Sequence, residues 1–322
     1  MRRILTIDGG GVRGIIPATM LATLERVSGR STREHFDFVA GTSTGALLAA
    51  GIAAGIPARE LVERYEERSD EVFRRIPIVT ALRRLFTGVQ YDVDVLHRLV
   101  REELGPEAAE WRLNDAPIDL LITAKRLSDG MPWYFVRDDP ANSRRAGGFR
   151  LADAAVASAA APTYFRPFAM GGIGELIDGG IGVAGNPVYQ ACVEAFEYAT
   201  GYDPADTIVV SLGTGRWSRR ARPAWLGAWL GWLLSELLRS PAEQQTELVH
   251  RHWPATPFYR IDAELPRDIG LDAIGAIPEL RRIGEGLAAT VDWPGILAGS
   301  DVESRVTDAT SLPREYRRVA DD

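Results

Sequence analysis

The stretch FDFVAGTSTGALLAAGIAA (residues 36–54) decides the fold. Phe36 to Ala40 is a short apolar run and predicts a buried strand. Gly41-Thr42-Ser43-Thr44-Gly45 follows and passes into an Ala/Leu-rich helix that ends near Ala54. This is a G-x-S-x-G pattern at a strand-to-helix junction, a turn that presents a serine oxygen above the sheet edge. Small residues two before and two after the serine let the backbone approach itself there. The helix N-terminus behind Ser43 favours negative charge developing beside it.

Upstream, Arg3 to Ile7 reads as another buried strand, followed by glycines at Gly9 to Gly11 and a helical pattern from Ile15 to Val27. Strand, loop, helix, strand, tight turn, helix indicates a mostly parallel sheet with covering helices. Downstream, Pro57 to Leu104 reads as polar helix. Ile118 to Ala124 and Trp133 to Val136 read as strands about a turn at Ser128-Asp129-Gly130. Leu151 to Ala161 is an Ala-rich helix stopped by Pro162, Pro187 to Tyr198 a helix, and Thr207 to Leu212 a strand. Pro223 to Trp253 reads as a tryptophan-rich helical segment broken near Pro241. No linker divides the chain. One domain is expected over residues 1–300, with the motifs inside 3–216, the Trp-rich segment at 223–253 and a polar tail at 301–322.

The chain has 322 residues, 46% of them hydrophobic, and a formal net charge of -7. That is the profile of a globular protein with a sizeable core. The acidic balance argues against nucleic acid as a partner. One cysteine, Cys192, excludes an intramolecular disulfide and a cysteine-based zinc site. Lys125 is the only lysine, so no P-loop lysine exists elsewhere. The first apolar run stops at Asp8, too soon for a signal peptide, and no window reaches the length of a spanning helix. A cytoplasmic location is expected.

A second site is Asp8-Gly9-Gly10-Gly11-Val12-Arg13-Gly14. Successive glycines between a strand and a helix leave backbone N–H groups open to an anion or an oxyanion. The same residues satisfy G-x-G-x-x-G through Gly9, Gly11 and Gly14, so dinucleotide binding is an alternative. That alternative needs an acid at the end of the second strand, where Ala40-Gly41-Thr42-Ser43 stands instead. Arg13 suits a carboxyl, phosphate or structural carboxylate contact. A third site is Asp178-Gly179-Gly180, after Glu175-Leu176-Ile177.

A conventional α/β-hydrolase would carry its nucleophile later in the chain and would need a histidine. His97, His250 and His252 lie in helix-like patterns amid arginines or beside Trp253, which suits surface or interface positions. With a serine elbow, a donor loop and no fitting histidine, a Ser43–Asp178 dyad is the economical account.

These three motifs, in this order, resemble the patatin-like phospholipase family. Further matches are Ala157 to Phe165 with its Ser-Ala-Ala-Ala-Pro core, Asn186-Pro187, and Ser211-Leu212-Gly213-Thr214-Gly215. The likeness runs from about residue 3 to 216. It implies a three-layer α/β/α sandwich with a mostly parallel sheet and lipid acyl hydrolysis without metal or other cofactor. By that resemblance Ser43 is the nucleophile and Asp178 the base. Gly10, Gly11 and Val12 supply the oxyanion hole, and Gly9, Arg13, Gly14, Gly41, Gly45, Gly179 and Gly180 shape the loops. Some bacterial antiphage effectors of this fold are switched on by a cyclic nucleotide, which stays open here. So does a non-catalytic module that binds a nucleotide or anion on the glycine loop.

Trp225, Trp229 and Trp232 recur at spacings of four and three, which places them on one helix face. A core-covering helix and an oligomer interface are the plain readings. Peripheral membrane contact, with Arg216, Arg219, Arg220 and Arg222 nearby for lipid phosphates, is the sharper one.

Overall fold

The computed structural model describes residues 1–73, 88–139, 146–182, 184–217, 229 and 242–299. Its strands are β1 (Arg2–Ile7), β2 (Phe38–Gly41), β3 (Asp119–Arg126), β4 (Pro132–Val136), β5 (Phe168–Met170), β6 (Gly174–Asp178), β7 (Thr207–Leu212) and β8 (Phe258–Ile261). The helices that matter below are α1 (Ile15–Ser28), α2 (Thr44–Ala54), α3 (Ala58–Val72), α4 (Val93–Ala108) and α5 (Leu151–Ala159). They are followed by α6 (Val188–Val193), α7 (242–252), α8 (Ile277–Ala288) and α9 (Trp293–Ala298).

The strands form one eight-stranded sheet in the order β5-β6-β3-β2-β1-β7-β8, with β4 also pairing β3. The run β3-β2-β1-β7-β8 is parallel throughout. Strands β4, β5 and β6 extend it antiparallel. The sheet is therefore mixed, parallel at its centre and antiparallel at one side.

Side-chain alternation builds the three layers. Leu5, Ile7, Val39, Leu120, Ile122, Val210 and Leu212 pack into one core with α1, α2, α5 and α8. Ile4, Phe38, Ala40, Leu121 and Val209 point the other way, into a second core with α6 and α7. Neighbours along each strand thus serve opposite faces, and the sheet is covered on both. Strand β7 is buried at every position, as a central parallel strand requires. Helix α2 is apolar on all sides and buried at nine of its eleven residues. Its alanines and glycines let it lie close behind the elbow.

Several expected elements differ in detail. Among the described residues, the long polar helix expected after Pro57 gives α3 and α4, and α4 itself is interrupted at Gly105–Pro106, where Gly105 takes φ 78°. Residues 74–87 lie outside the described ones. The helix after Pro187 becomes α6 and then widens into a five-residue π-helical turn, Glu194–Tyr198. Of the Trp-rich segment, residues 242–252 are helical. Trp225 and Trp232, with Arg219, Arg220 and Arg222, lie outside the described residues, and Trp229 is exposed. Strands β5 and β8 and helices α8 and α9 were not expected from the sequence. Among the described residues no helix is long and apolar enough to cross a membrane.

Candidate active site

Strand β3 assembles the site. It pairs with β2 through Asp119 to Ile122 and with β6 through Ala124 to Arg126. Strand β4 spans Leu121 to Lys125 and so occupies the other edge. Strands β2 and β6 therefore share one edge of β3 and run toward each other. Their carboxyl ends meet, Gly41 beside Ile122 and Asp178 beside Ala124. Thr123 sits between them, with its Oγ1 2.7 Å from Thr42 Oγ1.

Ser43 follows Gly41 by two residues and caps α2. Its backbone stands at φ 55°, ψ -121°, in the region that L residues rarely adopt. A non-glycine residue held there marks a nucleophile elbow and stores backbone strain. The two flanking glycines are sterically required. A Cβ on Gly41 would run into the Gly45 carbonyl, and a Cβ on Gly45 into the Ile7 carbonyl. The strain is held by α5, whose Ser158 Oγ accepts the Ser43 N–H at 2.8 Å. The same helix end anchors the aspartate loop: Asp178 N–H donates to Ala160 O at 3.0 Å and Gly179 N–H to Ser158 O at 3.3 Å.

The result is a direct hydrogen bond from Ser43 Oγ to Asp178 Oδ2 at 2.6 Å. Asp178 Oδ1 accepts the Gly180 N–H at 2.7 Å, which fixes the carboxylate plane. Both side chains are buried, at 9% and 5% exposure. Burial pushes the Asp178 carboxyl up to about 6, against the hydrogen bonds from Ser43 and Gly180. It is thus ionised at neutral pH yet more basic than an exposed aspartate.

The glycine loop lies over the serine: a methyl on Gly9 would stand 3.2 Å from Ser43 Cβ. Its backbone is pinned from several sides. Gly9 N–H donates to Gly185 O at 3.0 Å, and Thr214 Oγ1 donates to Gly9 O at 2.7 Å. Val12 N–H donates to Leu271 O at 2.9 Å, so of the three expected donors this one is committed elsewhere. The amides of Gly10 and Gly11 have no acceptor among the described residues. Arg13 turns back onto backbone, with Nε 3.3 Å from Gly10 O and Nη1 3.4 Å from Gly215 O. The carboxylates of Asp262, Asp268 and Asp8 also act on its guanidinium.

Behind the loop stands a charged network that no motif announced. Arg260 on β8 holds Asp8 with both guanidinium arms, at 2.9 and 2.5 Å. It also reaches Ser211 Oγ at 2.8 Å and Asp262 at 3.3 Å. Asp262 in turn accepts the Gly215 and Ala263 N–H groups, each at 2.9 Å. Burial lowers the Arg260 value, but the charges of Asp8 and Asp262 outweigh it and hold it above the ordinary arginine range.

The histidines stand apart from this centre. His97 Nε2 pairs with Asp153 at 2.7 Å, His252 Nδ1 meets Tyr189 OH at 2.8 Å, and His250 stacks edge-on against Phe258. Among the described residues no three His, Cys, Asp or Glu side chains converge as a metal shell would require.

An apolar cavity of about 180 Å³ opens beside Ser43 and Gly11 and runs between α2, α3 and α4. A buried serine bonded to an aspartate, two amides without an acceptor among the described residues and an apolar chamber suit attack on the carbonyl of an ester with an aliphatic arm. Residues 5–192 match the sequence profile of the family described as patatin-like phospholipase.

The chain belongs to the patatin-like phospholipase family.

Relatives agree. A cGAMP-activated phospholipase from Vibrio cholerae is 31% identical over 84% of this chain and 84% of its own length. Patatin-like protein 2 from Oryza sativa subsp. indica is 34% identical over 67% of this chain and 61% of its own. Among solved structures, VipD from Legionella pneumophila is 13% identical with a TM-score of 0.45, over 90% of this chain and 67% of that one. Family membership carries lipid ester hydrolysis to this chain.

Proposed function

We propose that this patatin-like chain cleaves the carboxylic esters of phospholipids or related glycerolipids through an acyl-enzyme, with Ser43 as nucleophile and Asp178 as base. The observation that carries the reading is the 2.6 Å bond between Ser43 Oγ and Asp178 Oδ2 beside the open amides of Gly10 and Gly11. Ser43 Oγ attacks the acyl carbonyl while its proton passes to Asp178 Oδ2. The tetrahedral oxyanion is held by the Gly10 and Gly11 N–H groups and the positive end of α2. Collapse breaks the ester C–O bond, and the alcohol leaves with the proton from Asp178. Water then attacks the acyl-enzyme, giving its proton to Asp178. The second collapse frees the fatty acid and returns the proton to Ser43 Oγ. The acyl chain occupies the apolar cavity during both halves.

Fatty-acid release from phospholipid vesicles tests this. Wild-type protein releases acid and Ser43→Ala does not. Equal release by both proteins sinks the reading.

The name of the Vibrio cholerae relative favours a second element, a need for an activator. Under it, cyclic GMP-AMP raises turnover on vesicles, and unchanged turnover across a titration removes it. The exposed Trp229, with Trp225 and Trp232, is assigned to peripheral contact with the vesicle surface. Replacing these tryptophans lowers turnover on vesicles more than on soluble esters, and equal losses on both count against it.

A further inference from the structure

Two strand turns stand over the dyad as a rim. Strand β3 runs four residues past Ile122, the partner of Gly41, and ends at Arg126. Strand β6 pairs along that extension, with Asp178 beside Ala124 and Leu176 beside Arg126. The β3–β4 turn, Leu127 to Met131, therefore continues beyond the dyad at the elbow's end of the sheet. Leu127 is three residues past the level of Asp178, about 10 Å at the rise of a strand. The β5–β6 turn rises beside it, and Leu127 N–H donates to Glu175 O at 2.9 Å.

The tip is apolar where it meets solvent. Among the described residues six large hydrophobic side chains are exposed, and two of them, Leu127 at 46% and Met131 at 57%, share this one turn. The turn is held in shape from within. Gly130 N–H donates to Arg126 O at 3.0 Å, and Arg126 N–H donates to Met131 O at 2.9 Å. Arg126 Nε stands 3.0 Å from both Asp129 carboxylate oxygens, and its guanidinium lies over the Trp133 ring, 5.5 Å from the centroid. Side chains presented on a preordered turn lose little freedom when they are covered.

Charge selects the cover. The Asp129 carboxylate is met by Arg126 inside the turn. Lys125, the only lysine of the chain, has no hydrogen-bond or ion-pair partner among the described residues. Its Cε lies 3.9 Å from where a Cβ on Gly130 would stand, and its Nζ 3.5 Å from one on Gly182. The ammonium thus stands between the tip and the loop that leaves Asp178. Glu175, exposed on β6, makes no ion pair with it. An apolar tip with an uncompensated cation behind it complements a phospholipid surface, where apolar groups enter the acyl boundary and cations meet phosphate. A second copy docked through the same turn about a two-fold axis would instead bring two such cations together.

We propose that the β3–β4 turn is the surface by which the protein docks on a phospholipid bilayer. Leu127 and Met131 enter between the headgroups, and Lys125 takes a lipid phosphate. Interfacial elements sink about 5–10 Å, so a tip about 10 Å beyond the dyad brings Ser43 and Asp178 to the headgroup layer. The proposal takes its occupant from the phospholipid reading above and adds the face that the protein turns to the bilayer. It is separate from the contact assigned to the tryptophans.

The test is flotation of the full chain, carrying Ser43→Ala so that no lipid is consumed, with vesicles of phosphatidylcholine and phosphatidylglycerol. Leu127→Asp with Met131→Asp lowers the partition coefficient by about tenfold or more. Lys125→Gln lowers it by about fivefold, the worth of one cation at such a surface. Glu175→Gln raises it by removing an anion from the docking face. A misfolded turn cannot imitate that gain, so the test stands even if the double variant does not fold. With Ser43 restored, the double variant keeps its turnover of a soluble short-chain ester. Unchanged vesicle binding by the double variant and by Lys125→Gln overturns the proposal, as does a matching loss of soluble-ester turnover. A changed oligomeric state in light scattering with vesicle binding intact also overturns it, and gives the turn to a second copy. Fatty-acid release by Ser43→Ala is a different outcome: it removes the dyad reading and leaves the docking result as it stands.

Discussion

Ser43 Oγ donates a 2.6 Å hydrogen bond to Asp178 Oδ2 across 135 residues of sequence. The contact follows from strand order. The carboxyl ends of β2 and β6 meet head-on along one edge of β3, with Thr123 between them. One turn beyond β2 and the last residue of β6 are then neighbours. The carboxylate that meets the serine stands on the strand that abuts the elbow.

Removing either member should remove most of the turnover, since the two act as a unit. Ser43→Ala and Asp178→Asn should each lower kcat by about 10³-fold or more, and the double variant by little more than either. A kcat series on a soluble ester checks this. Independent, additive losses would mean that the bond at 2.6 Å is not part of the reaction.

The raised Asp178 value sets a pH dependence with a definite sign. The carboxylate must be ionised to take the serine proton, so kcat/KM rises with pH through about 6 and levels above it. Stability moves the other way. The folded state binds this proton more tightly than the unfolded chain. The group's contribution is therefore full below about pH 4 and is lost as pH rises through about 6. At pH 8 the buried charge costs about 3 kcal/mol on the scale of 1.36 kcal/mol per pKa unit. Asp178→Asn should consequently melt higher than wild type at pH 8, with a smaller difference at pH 4. Thermal melts at the two pH values decide it.

Arg260 should be essential to the fold of the glycine loop. Arg260→Met takes from Asp8 and Asp262 the cation that hydrogen-bonds both, a change that typically costs about 3–5 kcal/mol. Urea denaturation should show that loss. Adding Asp8→Asn to the variant should recover part of it by removing one stranded charge. A single variant as stable as wild type would contradict the role given to the network.

Ser158 should matter more than an alanine-rich helix suggests. Ser158→Ala strands the Ser43 N–H, for a cost of about 1–3 kcal/mol, at a residue already held at φ 55°. The expected signature is a lower kcat with little change in KM, because the elbow loses its brace and not its substrate contacts. A changed KM with kcat intact would argue against it.

The legible parts of this chain are those under local steric demand. Gly41 and Gly45 are forced by the closeness of the turn to Gly45 and Ile7 carbonyls, so the elbow shows in five residues. Strands β1, β2 and β7 are buried runs and read as such. Asp178-Gly179-Gly180 was legible only beside the other two motifs. The rest depended on contacts that sequence does not index. Strand β8 has four residues, and its Arg260 meets Asp8 across 252 positions. Strand β5 has three residues. The capture of the Val12 amide by Leu271 comes from a loop with no periodic pattern. The π-helical turn after α6 arises in a stretch whose apolar spacing suits an ordinary helix.

The most direct measurement is labelling with a fluorophosphonate followed by peptide mapping, on wild type and Asp178→Asn, each with and without phospholipid vesicles and cyclic GMP-AMP. The account predicts a phosphonyl adduct on Ser43 in wild type and its loss in Asp178→Asn. An adduct on another residue, an adduct on Ser43 that forms equally fast without Asp178, or no adduct under any of these conditions would contradict it.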